Sequence, residues 1–266
     1  MMSINPYAML AETISPLVIQ GFILAMLALI VIGTVVQMIH HKNVTYFFNN
    51  AKKAKLAAER ELGIGEKTSV ILKTVVHDIA TTAELGAGKR RVAHVMGMYG
   101  TILFWVASVV LVFGYTGTGT TAPTIWPMIW HVGAIMTCVG GYWFWLFLRV
   151  DVLAEAHPWY RIIKADLFVL TLLACATFGL VWSYTQSLSL ENRWDDKVFL
   201  TLYILSNIAL FGGVYWSKFA HMIYKPGAAI QKNLAEADGS RDNLPPLADA
   251  PKQFGLGIKR EQPKHY

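Results

Sequence analysis

Residues Leu17–Ile39 read LVIQGFILAMLALIVIGTVVQMI, a run without one Asp, Glu, Lys or Arg. A helix needs about 20 predominantly apolar residues to cross the hydrocarbon core of a bilayer, so this run spells a membrane span. It is also too long for the apolar core of a secretory signal and has no basic residue ahead of it, which predicts a retained helix. Four further segments pass the same test: Val95–Tyr115, Trp126–Leu148, Leu167–Ser187 and Val198–Ser217. The composition agrees, at 55% hydrophobic and only 15% charged over 266 residues, where a soluble domain carries about 25% charge. The predicted fold class is an all-α integral membrane bundle of five transmembrane helices.

The connecting segments sort by charge. Residues 1–16 and 116–125 hold no Lys or Arg, and the loop between spans four and five holds only Arg193 and Lys197. The other 21 of the 23 basic residues fall in residues 40–94, in the loop between spans three and four, and from Lys218 onward. Basic residues concentrate on the cytoplasmic side, which predicts the N-terminus outside and the C-terminus in the cytoplasm of a multi-pass protein of the cell (inner) membrane. The net charge of +6 is accounted for by this topology, and no nucleic-acid partner is expected. The organisation predicted is an outer segment 1–16, a membrane domain 17–225 containing the basic loop 40–94, and a cytoplasmic tail 226–266. Within the loop, Asn50–Leu62 and Lys67–Leu85 are expected to be helices lying along the inner membrane surface, the second with a stripe at Leu72, Val76, Ile79 and Ala83. Pro226 is expected to stop the fifth helix, and 235–266, rich in Gly, Pro and charge, to lack a packed core.

Several chemistries are excluded by what is missing. The two cysteines, Cys138 and Cys175, form no CxxC pair, so a thiolate-ligated zinc or iron–sulfur site is not expected. No Walker A run is present either. Histidine is the one ligand type in useful number, eight in all. His94 opens the second span and His221 follows the fifth, so the topology sets both at similar depth near the inner face. Two imidazoles on separate helices are the usual axial pair of a membrane haem b, with Arg90, Arg91 and Lys218 close in sequence to meet its propionates. Histidines at helix ends also commonly do no more than bond water, and spacing leaves both readings open. His131, at the outer mouth of span three, could line a quinone pocket with Tyr203 or Tyr142; a hydrated helix end is the plainer alternative. His77-Asp78 reads as a solvated pair, and Ser206-Asn207 as helix–helix support. A transporter is disfavoured, because no span carries a charged residue.

The wording around the histidines adds a resemblance. Arg90-Arg91-Val92-Ala93-His94 running into Gly97-Met98-Tyr99-Gly100, Ser217-Lys218-Phe219-Ala220-His221-Met222, and Asp166-Leu167-Phe168 resemble the nitrate reductase gamma-subunit superfamily of quinone-linked membrane cytochromes b. The likeness covers about residues 17–225 and rests on short motifs. It implies two stacked haems, each ligated from spans two and five. Here the residue ten after His94 is Phe104 and the residue eighteen before His221 is Tyr203, so both ligands of the outer haem are missing together. The resemblance then implies one inner haem b, its iron between His94 and His221, with quinone as substrate. Within the superfamily the chain looks most like the small membrane anchor associated with adenylylsulfate reductase, having no fused iron–sulfur domain and a long basic first loop. The expected role is an anchor and electron-transfer subunit, with no catalytic residues of its own, joining a cytoplasmic iron–sulfur/flavin oxidoreductase of sulfur metabolism to the quinone pool. The alternatives are a haem-free structural anchor, or a haem b quinol-oxidising subunit of a nitrate- or heterodisulfide-reductase-like complex.

Overall fold

The computed structural model describes residues 2–85, 88–117, 120–150, 157–188 and 194–241. Among them every regular element is helical: α1 Pro6–Leu10, α2 Pro16–His41, α3 Asn43–Leu56, α4 Ile64–Lys73, α5 Lys89–Gly114, α6 Ile125–Trp143, α7 Leu167–Ser187, α8 Trp194–Gly212 and α9 His221–Ala237. Five segments are long and apolar enough to cross a membrane: Pro16–His40, Lys89–Gly114, Ile125–Leu148, Lys164–Ser187 and Trp194–Tyr215. All five expected spans are therefore present, and the chain is a multi-pass membrane protein in contact with lipid.

The chain divides into two compact units, Met1–Gln37 with Val92–Ala220, and Met38–Arg91 with His221–Tyr266. The first unit holds the bundle. Its α5 buries Ala93, Gly100, Phe104, Ala107 and Leu111, spaced by three, four or seven, as one helix face requires. The small residues on that face bring two backbones together. A Cβ on Gly100 would stand 2.6 Å from the Thr137 amide nitrogen, one on Gly133 2.5 Å from that of Phe104, and one on Gly140 2.6 Å from the Ala93 carbonyl oxygen. Close backbone approach of this kind replaces the hydrophobic drive that lipid removes between membrane helices. On α7, Gly179 faces the Tyr203 ring of α8, and Gly33 of α2 faces Val214. Only 11% of the apolar stretch of α2 is buried, so the rest of the chain leaves most of that helix uncovered.

The second unit packs α9 against α3, α4 and the wide π-type segment Thr74–Ala80 that continues α4. Four expectations change here. The first basic helix runs Asn43–Leu56 rather than 50–62, because the amides of Glu59 and Arg60 turn to the Asp238 carbonyl instead of continuing the helical ladder. The second begins at Ile64 and passes into the π-type segment at Thr74. Pro226 lies inside α9 rather than ending the fifth span, which stops at Tyr215. The helix continues past it because Ala229 and Ala235 are buried on its packed face. Residues 235–241, expected in an unpacked tail, are thus held by the contacts of Asp238 and by Arg60 donating to the Ala237 carbonyl. The tail from 242 onward lies outside the described residues.

Candidate functional site

The positions implied for haem fall into different units. His94 is exposed, on the sixth residue of α5 and one beyond buried Ala93, and belongs to the first unit; Lys218, in a 3-10 turn, belongs there too. His221 is exposed and opens α9 in the second unit, with Arg90 and Arg91. The resemblance implies a ligand on the fifth span itself. The structure ends that span at Tyr215, and the 3-10 turn Lys218–Ala220, entered by Phe219 N–H donating to Ser217 Oγ, intervenes before His221. Arg91 is committed locally, its Nε donating to the Thr81 carbonyl at 2.9 Å and its Nη2 to Thr81 Oγ1 at 3.0 Å. Among the described residues no group of three or more His, Cys, Asp or Glu is placed to hold a metal ion.

The two positions that depart from the cytochrome pattern are the centre of the bundle. Phe104 is fully buried, its ring 5.0 Å from Trp130. Tyr203 stacks on Trp182 at 5.6 Å. Around them runs a chain of hydrogen bonds. Ser108 Oγ donates to the Phe104 carbonyl at 2.8 Å and accepts from Trp130 Nε1 at 2.9 Å and from the Tyr7 hydroxyl at 3.1 Å. With the Tyr7 proton spent on Ser108, the Tyr203 hydroxyl 2.9 Å away is the donor to Tyr7. Burial pushes the Tyr7 hydroxyl up, against the hydrogen bonds it makes. These contacts satisfy polar groups that would be costly in an apolar core.

Tyr7 was not foreseen among the site residues. It is delivered by α1, which starts on an Asn5 cap accepting from the Tyr7 amide, with Pro6 at the first helical position. Asn5 also donates to the Tyr115 carbonyl, and Gln186 donates to that of Pro6. The Asn-Pro pair is a readable helix start, but its docking into the bundle is a tertiary fact.

His131 is fully buried rather than at a hydrated mouth. Its Nδ1 lies 2.7 Å from the Pro127 carbonyl and its Nε2 2.8 Å from Ser183 Oγ. A carbonyl only accepts, so Nδ1 carries the proton and Nε2 accepts from Ser183. Both nitrogens are used, and neither His131 nor Tyr203 lines a groove found in the first unit. That groove, of about 310 Å³, lies along α7 and α8, lined by Leu167, Thr171, Ile208, Gly212, Trp216 and Ser217. Tyr142 bonds Thr177 at 2.9 Å.

Arg149, counted in sequence among the loop cations, has no exposed surface. It pairs with Asp166, donates to the Pro158 and Arg161 carbonyls at 2.8 and 2.7 Å, and lies 4.3 Å from the Trp145 ring centre. A buried cation is tolerated when it is paired and hydrogen-bonded in this way. The motif Asp166-Leu167-Phe168 is therefore, in this chain, the counter-ion and start of α7. In the second unit His77 is exposed and bonds Asp78 at 2.9 Å, while Asp78 also accepts from Asn233 of α9 and is only partly exposed. No family model, curated protein or solved structure matches the chain.

Proposed function

We propose that the chain is a membrane anchor and electron-transfer subunit, joining a cytoplasmic redox enzyme to the quinone pool of the cytoplasmic membrane. By resemblance that enzyme is an adenylylsulfate reductase of sulfur oxidation. The observation that carries the reading is the paired loss at the bundle centre. Phe104 and Tyr203, the two positions where the resemblance would call for outer ligands, are both built into the packed core, while His94 and His221 are both retained and exposed. In this reading His94 and His221 hold one haem b, and Arg90, Arg91 and Lys218 supply positive charge for its propionates. A bis-histidine haem passes single electrons and leaves no open coordination position. The basic 40–94 segment and the tail receive the soluble partner.

A haem-free anchor is the second reading, favoured by the break between the fifth span and His221. One measurement separates the two. A reduced-minus-oxidised spectrum of the purified chain should show one haem b, lost in His94→Ala and in His221→Ala and kept in His131→Ala. A wild-type chain without haem absorbance leaves the bare anchor standing.

A further inference from the structure

The helix that runs from Ile64 through Lys73 and on to Ala80 is packed the wrong way round for water. Its side toward α9 presents Thr74 and Asp78 to a polar partner, beside the half-buried Val70 and Ile79. Thr74 is 1% exposed and accepts from Asn233 Nδ2 at 2.8 Å, and the same amide donates to Asp78 one turn on. Thr74 in turn donates to the Val70 carbonyl at 2.7 Å. Its outward side carries Ile64, Ile71, Leu72, Val75 and Val76, at 87%, 37%, 59%, 41% and 62% exposure. Through the α-helical turns to Lys73 and the wider turn that follows, these five share one exposed stripe. A helix with water around it turns such a stripe inward.

Two further features say what covers it. The helix is confined close to a bilayer by the chain, since Ala80 precedes Lys89, the first residue of the second span, by nine residues, about 30 Å at full extension. The unit is also basic, residues 38–91 and 221–241 holding thirteen Lys and Arg against seven Asp and Glu, a balance that favours anionic headgroups. We propose that residues 64–80 form an interfacial lipid anchor. The stripe from Ile64 to Val76 is buried in the headgroup–acyl boundary, and the contact of Asn233 with Thr74 and Asp78 sets which face meets lipid. Helices of this kind sink their apolar side about 5–10 Å into that boundary. The sequence indicates a helix at the membrane surface; the choice of face and the residue that enforces it come from the packing. The inference does not depend on haem or on electron transfer.

The test uses the full chain reconstituted in vesicles of phosphatidylcholine and phosphatidylglycerol, without a soluble partner. Single cysteines for spin labelling are placed at Leu72, Val76 and Lys73, with Cys138→Ala and Cys175→Ala as background. The wild-type cysteine background, with its own signal subtracted, serves if that double variant fails to fold. Labels at 72 and 76 should collide more with oxygen than with a water-soluble nickel chelate, and the label at 73 the reverse. Adding Asn233→Ala should shrink the contrast between the two faces. Nickel access equal at all three positions puts the stripe in water and overturns the proposal. Shielding of 72 and 76 from both probes overturns it too, in favour of a protein contact, a second copy of the chain if the shielding vanishes on dilution in lipid.

Discussion

Asp78 shows how much one side chain of a neighbouring helix changes. In sequence it belongs with His77 as a solvated pair. In the structure burial works to raise its pKa, and the hydrogen bonds from His77 and Asn233 outweigh this, holding the carboxyl below its usual value of 3.8. Because the folded value lies below the unfolded one, the contact's contribution is complete above pH 3.8 and is lost as pH falls through the lower folded value. An NMR titration of the Asp78 carboxyl should find its midpoint below 3.8, and Asn233→Ala should raise it. A midpoint at or above the usual value in the wild-type chain would mean that the Asn233 contact does not form.

At the scale of elements, the join between α5 and α6 depends on the absence of Cβ atoms. An alanine at 133 would set its methyl 2.5 Å from the Phe104 amide nitrogen and 2.8 Å from the Gly100 carbonyl oxygen, with no flexible side chain to yield. The helices must then separate, loosening the packing of Phe104 on Trp130. Gly133→Ala should destabilise the chain by about 1–3 kcal/mol, the usual cost of overpacking, read as a lowered Tm in detergent. Gly21→Ala is the control, because nothing lies within 4 Å of its added methyl on α2, and helix propensity favours alanine by about 1 kcal/mol. An unchanged Tm for Gly133→Ala would show that α5 and α6 do not touch as described.

For the whole molecule, topology follows from charge. With 21 of 23 Lys and Arg on one side of the five spans, a tag ahead of Met1 should be reached by impermeant reagents from outside, and a reporter after Tyr266 should be cytoplasmic. Both termini on one side would require an even number of spans and would contradict the five found. The same basic surface makes a docking prediction. If the proposed anchor role holds, neutralising Lys52, Lys53 and Lys55 together should release its soluble enzyme from membranes on sedimentation, since attraction across such a surface is screened over about 8 Å at physiological salt. Unaltered co-sedimentation would remove those lysines from the docking surface.

The sequence alone determined the number, type and approximate limits of the spans, because a membrane helix must satisfy its backbone internally and cover itself with apolar side chains. Both demands are local and visible in a run such as Leu17–Ile39. It also determined that Phe104 and Tyr203 cannot both serve as haem ligands. Only the tertiary structure decided what those residues do instead. Tyr7 and Tyr203 are 196 positions apart, and no local pattern announces that their hydroxyls meet over Ser108. The same holds for Arg149, whose charge suggests a solvated loop until Asp166 and two carbonyls enclose it. It holds again for the 64–80 helix, whose period predicts an apolar stripe but not that the stripe faces outward. That choice belongs to Asn233, which offers Thr74 and Asp78 a polar partner on the opposite side. A hydrophobic period is written along one segment, whereas hydrogen-bond partners are drawn from segments that only folding brings together.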